Sequence, residues 1–267
     1  MSLTIASRVQ QQVHQWKAVQ LVAFNRASVA MSILLVLALV YWLWFGLAGR
    51  SLLQDDGLSV LAAQGVLEHG YPLLPSGFIY HRGYVPSYLI AGASLVFGLN
   101  DFAVILPSLM MSLGLLVIVY LLARDVMGRP WVGVAAAGLL LTLSIQASFA
   151  TSPRMYMALQ FFTLLASYNA WRGYVKGEVK YQWLTFLALL GALLSHEQAG
   201  ALLIVIPLSV LIVRWLKGSD SPRFNPLLAS AGLILLYALY LVPFIYQLPG
   251  AVPPITVHGG LEPGHTD

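Results

Sequence analysis

The chain has 267 residues, of which 59% are hydrophobic and only 9% charged, with a net charge of +4 and a mean hydropathy of +0.79. A soluble domain carries about 25% charged residues, so there is too little charge here to cover a water-facing surface, and the length goes mostly into membrane spans. The absence of cysteine excludes disulfides and thiolate metal sites, and basic residues scattered singly through short segments exclude a nucleic-acid surface.

Residues 1–28 open with a polar stretch (Gln10, Gln11, Gln12, His14, Gln15) and carry Arg8, Lys17 and Arg26. They lack the small-residue cleavage pattern of a secretory signal and are expected to form a cytoplasmic tail. Hydrocarbon about 30 Å thick requires roughly 20 apolar residues per helix. Six runs meet this: 29–49, 102–123, 131–150, 155–171, 198–215 and 227–247. A shorter run, 183–195, spans if Ser195 and His196 end it at an interface, which predicts about seven crossings. The segment 84–98 is short and holds Pro86, Gly92 and Gly98; it is expected to lie in the interface. The predicted organisation is a tail (1–28), a membrane module (29–247) with an outer loop (50–101), and a Pro/Gly-rich outer tail (248–267).

Charge supports this topology. Lys and Arg of short loops stay cytoplasmic. With the N-terminus inside, the cytoplasmic set is Arg8, Lys17, Arg26, Arg124, Arg129, Arg172, Lys176, Lys180, Arg214, Lys217 and Arg223, against only Arg50, Arg82 and Arg154 outside. The acids Asp55, Asp56, Glu68, Asp101, Glu197, Glu262 and Asp267 fall outside, as do His69, His81, His196, His258 and His265. Any chemistry therefore belongs to the non-cytoplasmic face.

Within the outer loop, Asp55 and Asp56 follow the first span directly. Leu58, Leu61, Ala62, Gly65 and Val66 then recur at helical spacing, and the pattern stops at Gly70. This predicts an amphipathic surface helix. One aspartate serves either as a general base or cation ligand at the water–lipid boundary, or as a helix cap. His81 and Arg82 precede the interfacial segment; the arginine either clamps a phosphate or snorkels to headgroups. Arg154 is the only basic residue of the 131–171 hairpin, and such a charge usually faces a protein interior or an aqueous cavity. Tyr156 beside it is a site residue or an interface-belt aromatic. His196 and Glu197 interrupt a hydrophobic hairpin, either as a polar turn or as an acid–base pair. Nucleophilic triads, phosphate loops and zinc spacings are absent.

The order of these features resembles the GT-C superfamily of polyprenol-dependent glycosyltransferases, and more nearly its bacterial members related to the protein O-mannosyltransferases. The echoes are Asp55-Asp56, Phe97-Gly98, Leu106-Pro107-Ser108, the stretch 120–124 with Gly128, and Arg154-Met155-Tyr156, across residues 30 to about 215. The resemblance implies an all-α integral membrane fold with juxtamembrane helices in the first outer loop. It also implies a glycosyltransferase of a bacterial-type inner membrane that moves a sugar from a polyprenyl-phosphate (or diphosphate) carrier to an acceptor on the outer face. Asp55 matches the family's catalytic aspartate, which in some members ligates a divalent cation; Asp56 stands at its acidic partner. Arg154 matches a cavity position where donor phosphate is held. The expected substrate-binding set is His81, Arg82, Arg154, Tyr156, His196 and Glu197. Ile105 replaces an arginine that commonly precedes Leu-Pro-Ser, and family members have about twice as many spans plus a C-terminal part. A truncated or non-catalytic subunit, with a partner chain supplying a second half, therefore stays open beside the enzyme. A transporter would want ionisable groups at mid-span, where the main polar residues are only Gln146, Gln160 and Asn169.

Overall fold

A computed structural model describes residues 2–48 and 54–217, all within one compact unit, Met1–Phe224. Arg50, the expected span 227–247 and the tail 248–267 with His258 and His265 lie outside the described residues. The elements are α1 (Ser2–Leu47), α2 (Gln54–His69), α3 (Tyr84–Phe97), α4 (Asp101–Met127), α5 (Pro130–Thr142), α6 (Ser144–Ala150), α7 (Met155–Ala170), α8 (Val179–Ser195) and α9 (Leu202–Lys217). A π-helical turn, Trp171–Val175, extends α7, and a 3-10 turn, Glu197–Ala201, links α8 to α9. Among the described residues no strand forms; one isolated bridge joins Leu73 and Ile79.

The chain is an all-α integral membrane protein. Asn25–Leu47 and Asp101–Met127 are each long and apolar enough to cross a bilayer, and α5 with α6 forms a third such stretch broken by a 78° bend. α3, α8 and Glu197–Ile212 are shorter apolar helices. Large apolar side chains such as Val29, Val36, Trp44, Leu95, Leu139 and Ile204 stand exposed, which is unfavourable in water and neutral against lipid. α1 runs unbroken through residue 28.

α4 is the axis of the bundle. Its start is set by Asn100, whose side chain accepts from the Ala103 N–H at 3.0 Å, and its end by left-handed Gly128. Leu109, Leu116 and Tyr120 of α4 pack with Met31, Ala38 and Trp42 of α1, Ala137 of α5, and Ala147 and Ala150 of α6. On another side of α4, Met111 and Leu115 meet Met157 and Ala158 of α7. Val104 near its start meets Ala63 of α2 and Ile90 and Ala91 of α3.

One expectation changes. The apolar run 131–150 is not one straight helix. Thr142 Oγ1 donates to Leu139 O at 2.8 Å, a local bond that competes with the helical ladder. Leu143 is extended at ψ 121°, and α6 restarts across the bundle. The turn buries Gln146, which donates to Met157 Sδ at 3.4 Å. α2 forms over the expected stretch and ends before Gly70. Leu58 and Leu61 are exposed, while Asp56, Ser59, Ala62, Ala63 and Gly65 are buried. The small residues let α2 approach its neighbours closely, and a Cβ at Gly65 would run into the backbone oxygen of Leu73.

The end of the bundle away from Asp101 is closed by a paired polar network. Arg124 Nε donates to Asp125 at 2.6 Å, Tyr168 OH donates to Asp125 at 3.0 Å, and Arg172 donates to both oxygens of Glu178 at 2.5 and 2.8 Å. The bond to Glu178 raises the pKa of Arg172 further.

Helix contact makes opposite demands on two glycines of α5. A Cβ at Gly133 would lie 2.5 Å from Tyr120 O, whereas one at Gly138 would meet only Leu34 Cδ1 at 3.5 Å. Gly133→Ala should therefore destabilise by about 1–3 kcal/mol, and Gly138→Ala should be neutral or gain up to about 1 kcal/mol from helix propensity. Thermal melting of the purified protein in detergent reads both; a lowered midpoint for Gly138→Ala and none for Gly133→Ala would contradict the α4–α5 packing.

Candidate functional site

The site grows from the short segment 151–154 between α6 and α7. The residue before a proline is steered to extended backbone, and Pro153 stiffens the exit, so Ser152 is held in a fixed direction. Ser152 Oγ donates to Asp56 Oδ1 at 2.7 Å, and Ser108 Oγ of α4 donates to Ser152 O at 2.6 Å. All three side chains are buried, Asp56 at 0% exposure. A carboxylate so buried requires hydrogen-bond donors. The bond ties Asp56 to a residue 96 positions away in sequence. Asp55 lies in the first turn of α2, and its side chain is outside the described residues.

Arg154 follows as the residue that opens α7, with no side-chain cap on that helix. Its guanidinium sits 4.9 Å from the centroid of the Tyr156 ring. Tyr156 in turn stacks with His196 at 5.9 Å and 25° and tilts against Phe149 at 5.7 Å. His196 Nδ1 accepts the Gln198 N–H at 3.0 Å, so in the neutral ring Nε2 carries the proton. Burial lowers the His196 pKa; Glu197 opposes this and Arg82 reinforces it. Glu197 pairs with Arg82 at 3.3 Å, and Tyr80 OH reaches Met155 Sδ at 3.8 Å. The loop carrying His81 and Arg82 is thereby joined to both the start of α7 and the α8–α9 turn.

The structure thus brings Arg82, Arg154, Tyr156, His196 and Glu197 into one chain of contacts, with Asp56 joined to it through Ser152. His81 is half-buried in the same loop. Arg82 is 55% exposed, so one cation stands open to solvent beside a half-buried one. Ile105, at the position where the family resemblance would place an arginine, is buried and is apolar in its surroundings. Among the described residues no group of three or more His, Asp or Glu gathers to hold a metal. The sequence reading missed Ser152; the available signal was its place immediately before Pro153-Arg154.

Buried carboxylate, arginines and aromatics converge at one end of an apolar helical bundle. Residues 81–246 match the family model for dolichyl-phosphate-mannose-protein mannosyltransferase. The chain belongs to this family, one of membrane glycosyltransferases with lipid-linked sugar donors. The matched segment includes His81, Arg82, Arg154, Tyr156, His196 and Glu197; Asp55 and Asp56 precede it. Neither a curated protein nor a solved structure matches the chain.

The lowered pKa of His196 fixes a sign for stability against pH. Between the folded pKa and the ordinary value of 6.5, the unfolded chain binds more protons than the folded one, so stability rises with pH there and falls on acidification. The melting temperature of wild type should drop between pH 7.5 and 5.5 by more than that of His196→Asn, whose side-chain oxygen still accepts the Gln198 N–H. Equal drops in the two proteins would remove His196 from the acid sensitivity.

Proposed function

We propose that this chain transfers a sugar from a polyprenyl-phosphate (or diphosphate) carrier to an acceptor on the non-cytoplasmic face. The observation that carries the reading is the Ser152–Asp56 bond, which sets the acidic start of α2 beside the cations and aromatics of the α7 entrance. The family supports a lipid-linked donor. The sorting of Lys and Arg along the sequence supports the outer face and a cytoplasmic N-terminus.

In this mechanism Asp55 is the base and Asp56 its anchor. The acceptor group attacks the anomeric carbon from the side opposite the carrier, and Asp55 takes its proton. The bond between the anomeric carbon and the phosphate oxygen breaks with inversion, and the carrier phosphate leaves with the electron pair. Arg154, joined by Arg82, meets that negative charge where it develops, the situation in which fixed cations lower a barrier most. His196 is neutral near pH 7, and its Nε2 proton is a donor for a sugar hydroxyl or a phosphate oxygen. Tyr156 holds the planes of Arg154 and His196 together, while Glu197 keeps Arg82 oriented until an anion replaces it. His81, in the same loop, contributes to the donor pocket. Asp55 is also the candidate ligand for a divalent cation; among the described residues no group of three His, Asp or Glu gathers, and no step above passes through a metal.

Membranes containing the chain, given polyprenyl-phosphate-linked sugars, test the proposal. Asp55→Asn should lower transfer by about 10²–10⁴-fold, the range for a general base, and Arg154→Ala by about 10²–10³-fold, both at unchanged expression. Transfer in EDTA that returns with Mn²⁺ would add a cation at Asp55; an unchanged rate would remove it. No transfer by stable wild-type chain would favour the accessory-subunit reading, and co-purification of a second multi-span protein would be sought.

A further inference from the structure

We propose that Ser108 and Ser152 form a positioning relay that locks the acidic start of α2 to the Arg154 loop and so sets the distance between base and phosphate clamp. This rests on the reading just given and concerns how that site is held.

Serine hydroxyls in this bundle are used in two ways. Ser32, Ser87, Ser167, Ser195 and Ser209 each donate to the carbonyl four residues earlier, the common resting bond of a helical serine, whereas Ser112 of α4 crosses to Met157 Sδ at 2.8 Å. Ser108 sits in α4 and does not follow that pattern; its hydroxyl crosses to Ser152 O at 2.6 Å. Ser152 then carries the connection on through its own hydroxyl to Asp56 at 2.7 Å. One residue, Ser152, is therefore held by its carbonyl from α4 and holds α2 by its side chain, and Arg154 lies two positions further along, beyond the stiff Pro153.

Burial adds weight to the geometry. Asp56, Ser108 and Ser152 are all buried, so water does not readily replace a lost bond, and removing one partner leaves the other to bear its desolvation. The apolar contacts of α2 run through Ala63 to Ile90, Ala91 and Val104, further along α2 from its start. Those contacts hold the helix in the bundle, while the relay fixes the turn bearing Asp55 and Asp56 relative to Arg154. Catalytic geometry is sensitive at this scale: a misplacement of about 1 Å costs about 10²-fold in rate.

Neither serine touches the proposed reacting atoms, so both are positioning residues. Ser152→Ala should lower kcat by about 10–100-fold while the donor KM changes by less than about threefold. Ser152→Thr, which keeps the hydroxyl, should recover most of kcat, and Ser108→Ala should give a milder loss of the same kind. A Ser152→Ala/Asp56→Ala double variant should fall no further than the worse single variant, because each single change already removes the Ser152–Asp56 bond. Wild-type kcat in Ser152→Ala, or a loss that follows the melting temperature and is not recovered by threonine, would overturn the relay. Hydrogen exchange provides a readout that needs no activity. In Ser152→Ala, amides of residues 54–60 should exchange faster, with those of α3 unchanged; unaltered exchange in both regions would sink the relay. A wild-type chain that fails to transfer sugar yet shows this exchange change would sink the glycosyltransferase reading and leave the relay standing.

Discussion

A carboxylate with no exposed surface inside an apolar bundle has to be satisfied by the protein, and the bond from Ser152 to Asp56 at 2.7 Å meets that need across three elements. Much of the surrounding architecture serves to deliver Ser152 to that place. A straight helix over 131–150 would carry the chain to the bundle end in line with α5; the 78° break turns α6 across instead. The small residues Ala147 and Ala150 let α6 settle against Trp42 and Leu109, and the chain emerges at Thr151-Ser152 under α2. Gln146, drawn inward by the same turn, finds Met157 Sδ, a soft acceptor that makes its burial tolerable.

The two ends of the bundle use charge differently, and the difference separates structure from candidate function. At the Asp125 end Arg124, Asp125, Arg172 and Glu178 are engaged within a compact network: Arg172 makes three bonds to Glu178 and lies 4.2 Å from the Tyr181 ring centroid. Such an arginine is committed, since releasing it would forfeit a bidentate pair and a ring contact together. At the Asp56 end Arg154 lies over the Tyr156 ring, and Arg82 pairs with a partner that is itself 41% exposed. The polar ladder at the first end keeps α4, α7 and α8 in register, which is what the second end needs in order to stay preorganised.

The sequence made the membrane class, the helix order and most of the site legible because those signals are sparse and strong. An arginine in an otherwise uncharged hairpin is conspicuous, and so are an acidic pair beside a span and a His-Glu step in an apolar run; Arg154, Asp56, His196 and Glu197 all meet at one end. What stayed hidden lacks contrast. The run Leu139-Leu140-Leu141-Thr142-Leu143 is apolar throughout, so nothing marks Thr142 as the residue whose hydroxyl ends the helix. Ser152 is an ordinary loop serine until its partner 96 residues away is known. In α2 the apolar pattern divides by size: Leu58 and Leu61 turn outward, while alanine, glycine and serine pack inside.

Magnitude decides which arginine is able to change partners. An exposed ion pair is worth about 0–1 kcal/mol, so exchanging Glu197 for an incoming phosphate costs Arg82 little, whereas its charge-assisted bonds to a phosphate at a lipid boundary would be stronger than those to a solvated carboxylate. Arg154 lies over the Tyr156 ring, which fixes the plane of its guanidinium. One arginine thus offers orientation and the other offers reach. Glu197 then gains a second consequence: it neighbours His196, and its charge opposes the burial and the Arg82 charge that depress the imidazole. Drawing Arg82 away toward a phosphate would remove one of the two influences that keep His196 neutral, leaving the histidine readier to take up a proton as negative charge accumulates beside it.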